Sequence, residues 1–434
     1  MYSLAKLPKG QSASALKTAF RRSVSSKASS AGGVSVIGFE NKGPAATSSL
    51  TVAIKAGSRF ESTPGVAHVL KNFAFKATAN GSSLKTVREA ELYGGVLSSA
   101  LSREHIFLTA EFLRGDEEHF LQVLTSVLSS SHFYNHELKE LVLPVVQSEA
   151  VSAQSSPAAL ALDVAHNLAF RKGLGNSLYA SPHYPVTIDD VKSYAQGAFS
   201  KSNVAVIGSG ISTESLSQVV GAAFGSGSSQ PGSSGLNTSK TSYYGGEARI
   251  PLDIHAPPTA QPTLVIAYGS TSPATPELKV LKQLLGGESS LKWTPGTSPL
   301  AQAADKVPGG SAKAFLLPYS DAALFGVVVS APTSPQLTGL AKEVAQIIKS
   351  AGSGAKDEEV KRAVAKATFA DATASETLEG LIANVGPALF AGGEVKSESF
   401  SGVSASSVSK AASELLKAKP TVVAVGNVNV LPYA

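Results

Sequence analysis

Cysteine is absent from all 434 residues, which excludes disulfides, thiolate-bound zinc and iron-sulfur clusters held by this chain. Long apolar runs are also missing. Nothing approaches the roughly 18 consecutive apolar residues of a membrane-spanning helix, and the longest candidates are strand-like, such as Val422-Val423-Ala424-Val425. Any membrane association therefore has to come through partners. Charge is sparse at 16% of residues, while 43% are hydrophobic, a balance that suits globular cores rather than a disordered chain. Acidic residues are missing altogether before Glu40, whereas Lys6, Lys9, Lys17, Arg21, Arg22 and Lys27 all precede it. Those six cations exceed the net charge of +5 for the whole chain, so the remainder stands at −1. The apparent basicity is thus confined to one end, and the body is nearly neutral.

That end is rich in Ser and Ala and has no continuous apolar segment of the kind a secretory signal needs, so it reads as a mitochondrial transit peptide over residues 1–32, cut between Arg22 and Gly33. The competing reading is a basic arm that binds nucleic acid or acidic lipid. The length supports two or three domains. A Ser- and Gly-dense stretch from Gly225 to Gly246 reads as a linker, residues 225–247, between an N-terminal domain 33–224 and a C-terminal domain 248–434. The two look like diverged copies. Leu50–Gly57 matches Leu264–Gly269 in strand character, Ser202–Gly208 matches Pro420–Gly426, and His105–Phe112 matches Ala323–Ser330. Helices from Glu137 and Glu359 follow at similar offsets. The expected fold is α+β: two tandem homologous domains, each a β-sheet covered by helices on one face.

The most informative stretch runs from Thr63 to Thr78. Thr63 can cap a helix, Pro64 suits its first position, and Val66, Val69, Leu70 and Phe73 give an apolar face. Within it His68, Val69, Leu70, Lys71 and Asn72 stand where an inverted zinc-peptidase motif has H-x-x-E-H. In that motif two histidines one turn apart bind the metal and the glutamate acts as base toward a metal-bound water. A lysine ammonium at the base position cannot take a proton from water, and an asparagine amide is a poor substitute for imidazole. A lone His68 and a Glu149 on a helix beginning near Asn135 would each be ordinary residues taken singly.

Together they resemble the pitrilysin/insulinase-like superfamily, which includes the mitochondrial processing peptidases and the core proteins of ubiquinol-cytochrome c reductase. In the processing peptidases 76 residues separate the second motif histidine from a third ligand, a glutamate, and the same count from Asn72 reaches Glu149. Phe73-Ala74-Phe75-Lys76-Ala77-Thr78 resembles the family's M-A-F-K-G-T continuation, and the likeness extends from about residue 33 to the C-terminus. The resemblance implies an inherited duplicated scaffold with a lost site: no catalytic residue, no cofactor, and no metal at the degenerate positions His68, Lys71, Asn72 and Glu149.

Other motifs have structural readings. Gly208-Ser209-Gly210 invites a nucleotide site, yet Thr213 stands where the third glycine should be and no acid follows at the required distance. Thr187-Ile188-Asp189-Asp190 reads as a helix cap rather than a catalytic carboxylate pair. Gly286 to Trp293 has two glycines at its start and lacks the longer glycine run of the processing peptidase's noncatalytic subunit; it resembles the core-protein branch, with Trp293 either an interface aromatic or a half-buried packing residue. The resemblance then implies a noncatalytic structural subunit of the reductase. Its partners would be the first core protein and the other subunits, without nucleic acid or small-molecule substrate, on the matrix side of the mitochondrial inner membrane and peripheral to it. The alternatives are a noncatalytic presequence-binding partner of a processing peptidase, and an active metallopeptidase.

Overall fold

The computed structural model describes residues 28–40, 46–225, 236, 239–253, 257, 259–287, 296–352, 354–391 and 399–432. The first lobe contains β1 (Ser29–Ala31), β2 (Val34–Phe39), β3 (Thr47–Ile54), α1 (Val66–Asn72), α2 (Ser83–Leu92), β4 (Val96–Leu101), β5 (Ile106–Leu113) and α3 (Glu117–Ser130). A helix then starts at Asn135–Glu137, widens into a π turn over Leu138–Val142 and continues as α4 (Leu143–Ser155). Pro144 explains the widening, since it has no N–H for the preceding turn and its ring needs room there. After it come α5 (Pro157–Phe170), α6 (Ile188–Ala198), β6 (Val204–Ser209) and α7 (Thr213–Gly225). The second lobe runs β7 (Gly246–Pro251), β8 (Thr263–Ser270), α8 (Pro276–Leu285), α9 (Pro299–Ala304), β9 (Ser311–Pro318), β10 (Ala323–Ser330), α10 (Ser334–Ala351), α11 (Asp357–Ala374), α12 (Leu378–Phe390), α13 (Ala405–Leu416) and β11 (Thr421–Gly426).

The strand order is β1-β2-β6-β3-β5-β4 in one sheet and β7-β11-β8-β10-β9 in the other. Apart from β1 the two orders correspond strand for strand. The pairing senses agree as well: β2 with β6 and β7 with β11 are parallel, and every other pair is antiparallel. β3 and β8, β5 and β10, and β6 and β11 are thus the equivalent strands, as the matched sequence segments indicate.

Alternate residues of each central strand go to different cores, the period of two expected of a sheet. Val36, Leu50, Val52, Val204 and Val206 pack against α1, α3, α6 and α7, while Ile37, Ala53, Ala205 and Ile207 face the other way. That second face is covered by Leu381, Val385 and Leu389 of α12, a helix from the other half of the sequence. The second sheet has the same arrangement. Leu264, Ile266, Phe325 and Val327 meet helices of their own lobe, and Val265, Ala267, Val423 and Val425 meet Ala161, Ala165, Ala169 and Phe170 on α5. Helices on one face alone, as the sequence suggested, is therefore half of the arrangement. Each sheet is covered on its second face by a helix of the other lobe.

β1 pairs with β2, and Ser29 Oγ lies 2.6 Å from Ser217 Oγ on α7. Residues 1–27 lie outside the described residues, as do 226–235, 237 and 238 of the linker. β7 already begins at Gly246.

Candidate functional site

The helix carrying the motif is shorter than its sequence promised. Thr63 and Pro64 form a turn ahead of it, and α1 begins at Val66 behind Gly65, whose φ of 84° lies in the left-handed region that glycine tolerates. Gly65 also passes close to the loop at residue 180, where a Cβ would lie 2.5 Å from the Ala180 Cα. The cap comes from Glu61 instead: its Oε2 accepts from the Ala67 N–H at 3.4 Å, and Thr63 donates its hydroxyl to Asp190 at 3.3 Å. Glu61 is 6% exposed, and its Oε1 has no hydrogen-bond partner among the described residues. Burial pushes its carboxyl up to about 7, against the opposing pull of the Gly65 and Ala67 amides and Arg103.

α1 and α4 bring all four motif positions together. His68 Nε2 lies 2.6 Å from Glu149 Oε2, and His68 Nδ1 accepts from the Ala180 N–H at 3.1 Å. Those two bonds fix the neutral tautomer with the proton on Nε2, donated to the carboxylate. Lys71 Nζ lies 2.7 and 3.0 Å from the two Glu149 oxygens, and Asn72 donates its amide to Glu149 Oε2 at 3.1 Å and to the His68 carbonyl at 3.2 Å. The Tyr179 ring stands edge-on to His68 at 5.5 Å between centroids.

Burial raises the Glu149 pKa, yet the bonds from Lys71, Asn72 and His68 outweigh it and hold the carboxyl down at about 2. Burial is the leading cause that lowers His68, and Lys71 adds to it. The result is a carboxylate with three donors around it. Zinc would need both His68 Nε2 and a Glu149 oxygen at about 2.0–2.2 Å from itself, whereas those atoms touch one another directly at 2.6 Å. The ammonium of Lys71 occupies the position of positive charge, and the donor set does not fit a catalytic metal. Among the described residues no group of three or more His, Asp or Glu side chains is placed to hold one.

Other sequence candidates resolve as structure. Thr187 and Asp190 form a reciprocal capping box at α6. The turn after β6 is closed by its neighbour strand, since Thr213 Oγ1 donates to the Gly38 carbonyl at 3.0 Å and accepts from the Gly38 N–H at 3.1 Å, which leaves no phosphate cradle. Gly286 and Gly287 are described, but residues 288–295, Trp293 included, lie outside the described residues. A cavity of about 570 Å³ in the second lobe is lined by Pro251, Leu252, Pro262, Thr333, Ser334 and Asn427 among others, with no titratable side chain among the described residues that line it. Sequence reading missed Glu61, Tyr179 and Ala180. Glu61 stands seven residues before His68 without any motif, and the backbone N–H of Ala180, 112 residues downstream of its acceptor, leaves no signature in residue type.

Two equivalent lobes with exchanged helices, and a ligand triad converted into an internal cation–carboxylate cluster, define a degenerate peptidase-like protein. Comparison with known proteins agrees. The family described as Insulinase (Peptidase family M16) matches residues 36–181, and the Peptidase M16 inactive domain matches residues 185–367. Proteins named cytochrome b-c1 complex subunit 2, mitochondrial, are similar along nearly the whole length. That of Cryptococcus neoformans var. grubii serotype A is 68% identical over 434 residues, 100% of this chain and 99% of that protein. The Yarrowia lipolytica protein is 37% identical over 93% of this chain and 94% of its own length, and the Neurospora crassa protein 36% identical over 93% and 88%. The chain belongs to the family of mitochondrial cytochrome b-c1 complex subunit 2 proteins, within the insulinase-like peptidases.

Proposed function

We propose that this chain is a noncatalytic structural core subunit of the mitochondrial ubiquinol-cytochrome c reductase, needed for assembly and stability of that complex. The observation that carries the reading is the Lys71 ammonium seated on Glu149 where a peptidase requires a metal. Hydrolysis needs a base near an activated water, and this cluster offers a cation, a neutral imidazole engaged on both nitrogens and a carboxylate already held by three donors. Haem and iron-sulfur groups reside on other chains in this reading, in keeping with the absence of cysteine.

The partners are the first core protein and other subunits of the complex. Among the described residues no helix is long and apolar enough to cross a membrane, which supports attachment through those partners at the matrix face of the inner membrane. The N-terminal basic segment, residues 1–32, is the import leader, removed between Arg22 and Gly33. The domains are 33–224 and 248–434, joined by the linker 225–247.

Detergent extraction of mitochondria, native purification and subunit identification test the assignment. Recovery of this chain with the cytochromes of the reductase is expected. Release as a free matrix heterodimer with a zinc-bearing processing peptidase subunit would reject it in favour of presequence binding.

A further inference from the structure

The covering helices are equivalent to one another. α5 follows the helix that ends in α4, and α12 follows α11, which holds the corresponding place in the second lobe. Each lies on the sheet of the opposite lobe, so the exchange is reciprocal. In α12, Gly386 permits the approach, since a Cβ there would lie 3.0 Å from the Phe107 ring of β5.

The equivalent hairpin tips also meet. Ser102–His105 joins β4 to β5, and Tyr319–Ala322 joins β9 to β10. Glu104 accepts from the Ser320 N–H at 3.0 Å and from its hydroxyl at 2.6 Å. Arg59 donates to Glu104 at 2.7 Å and to both oxygens of Asp321 at 2.7 Å, and Asp321 in turn accepts from the Thr241 N–H and hydroxyl. On the other side of the first tip Arg103 donates to Asp163 of α5 at 2.7 Å and to the Leu174 carbonyl at 3.1 Å. His166 of α5 reaches Tyr319 beside the second tip at 2.8 Å. Arg59, Arg103, Glu104 and His166 are all at least 94% buried.

We propose that the exchanged helices and the meeting hairpin tips latch the two lobes into one conformational unit, so that this chain does not hinge between its halves. Opening would strip the second face from both sheets at once and leave Arg59 and Glu104 with part of their bonding lost in a poorly solvated place. The latch belongs to the chain itself, whichever assembly receives it.

The lack of native cysteine makes the test direct. With Ser98→Cys on β4 and Lys313→Cys on β9, both exposed positions, the full chain is spin-labelled and the distance across the lobes measured by pulsed dipolar spectroscopy. A single narrow distribution is expected, and two populations would overturn the proposal. Hydrogen exchange on Asp321→Asn provides an independent reading. Exchange faster by about tenfold is expected at residues 102–105 as well as 319–322, and acceleration confined to the second tip would count against a latch.

Discussion

At the scale of single residues, an ammonium does part of what a metal does. Lys71 joins α1 to α4 through Glu149, so the decayed site still ties two helices together. Replacing it by an isosteric apolar chain, Lys71→Met, leaves a carboxylate with two neutral donors and should cost about 1–2 kcal/mol in denaturant titration, below the value for a fully buried pair because Glu149 is 36% exposed. No loss would mean the pair is incidental. Glu149 has its pKa depressed, so the stabilisation is present above its unfolded value of about 4.3 and fades as pH falls toward 2. Restoring the motif with Lys71→Glu and Asn72→His should recover partial zinc uptake, measured by metal analysis against a wild-type chain with substoichiometric zinc, with little peptide cleavage. Glu61 has the opposite sign from Glu149. Its raised pKa makes the folded state bind the proton more tightly, so stability is lost as pH rises from about 4.3 through about 7. Glu61→Gln keeps an acceptor for Ala67 and removes the charge. Its stability relative to wild type should improve by about 2–3 kcal/mol between pH 5 and pH 8, and parallel pH profiles for the two proteins would refute the assignment.

Among the elements, those governed by local chemistry were legible and those governed by distant contacts were not. The capping box at Thr187 and Asp190 could be read from four residues, and the α6 N-terminus forms there. The same reasoning placed a cap at Thr63 and failed, because the helix starts two residues later at Gly65 with the Ala67 amide held by the carboxylate of Glu61, a partner outside the spacing of any capping box. Helix positions of Lys71, Asn72 and Glu149 followed from spacing, and the structure brings them together; the bond from Ala180 to His68 could not be read, since it uses a backbone group. α12 shows the limit most clearly. Its apolar residues announce a buried helix, but whether they cover their own sheet or the other depends on tertiary packing alone. Gly386 tests that packing. A Gly386→Leu side chain would collide with Phe107, and the expected cost is about 1–3 kcal/mol in thermal or chemical unfolding. A stability equal to wild type would show that α12 does not bear on the first sheet this closely.

For the molecule as a whole, the duplication was legible because strand patterns repeat, while the reciprocal exchange of helices was hidden in which faces meet. That exchange places neutral histidines on its seams. His105, on the first hairpin tip, stacks on Phe390 of α12 at 5.1 Å, and burial, with Lys55 nearby, lowers it to about 4. His166, on α5, is lowered to about 3 by burial and by Arg103. Its Nδ1 is 2.6 Å from the Leu162 carbonyl and Nε2 2.8 Å from the Tyr319 hydroxyl, an arrangement in which Nδ1 carries the proton and Nε2 accepts. Both histidines face cations, and among the described residues no carboxylate pairs with either ring to welcome a second proton. The unfolded chain takes that proton near pH 6.5 and the folded chain refuses it, so stability is full above this pH and falls as pH drops toward 4, by about 2–3 kcal/mol for each histidine. Glu61 opposes the loss but is one group against two. Because His166 sits on one exchanged helix and His105 packs against the other, acid should loosen both seams together. Thermal unfolding followed between pH 7.5 and about 4.5 should then show one transition whose midpoint falls steadily, with tyrosine fluorescence and far-ultraviolet dichroism superimposed. Separation of the two signals into distinct transitions at low pH would show that the lobes part company before they unfold.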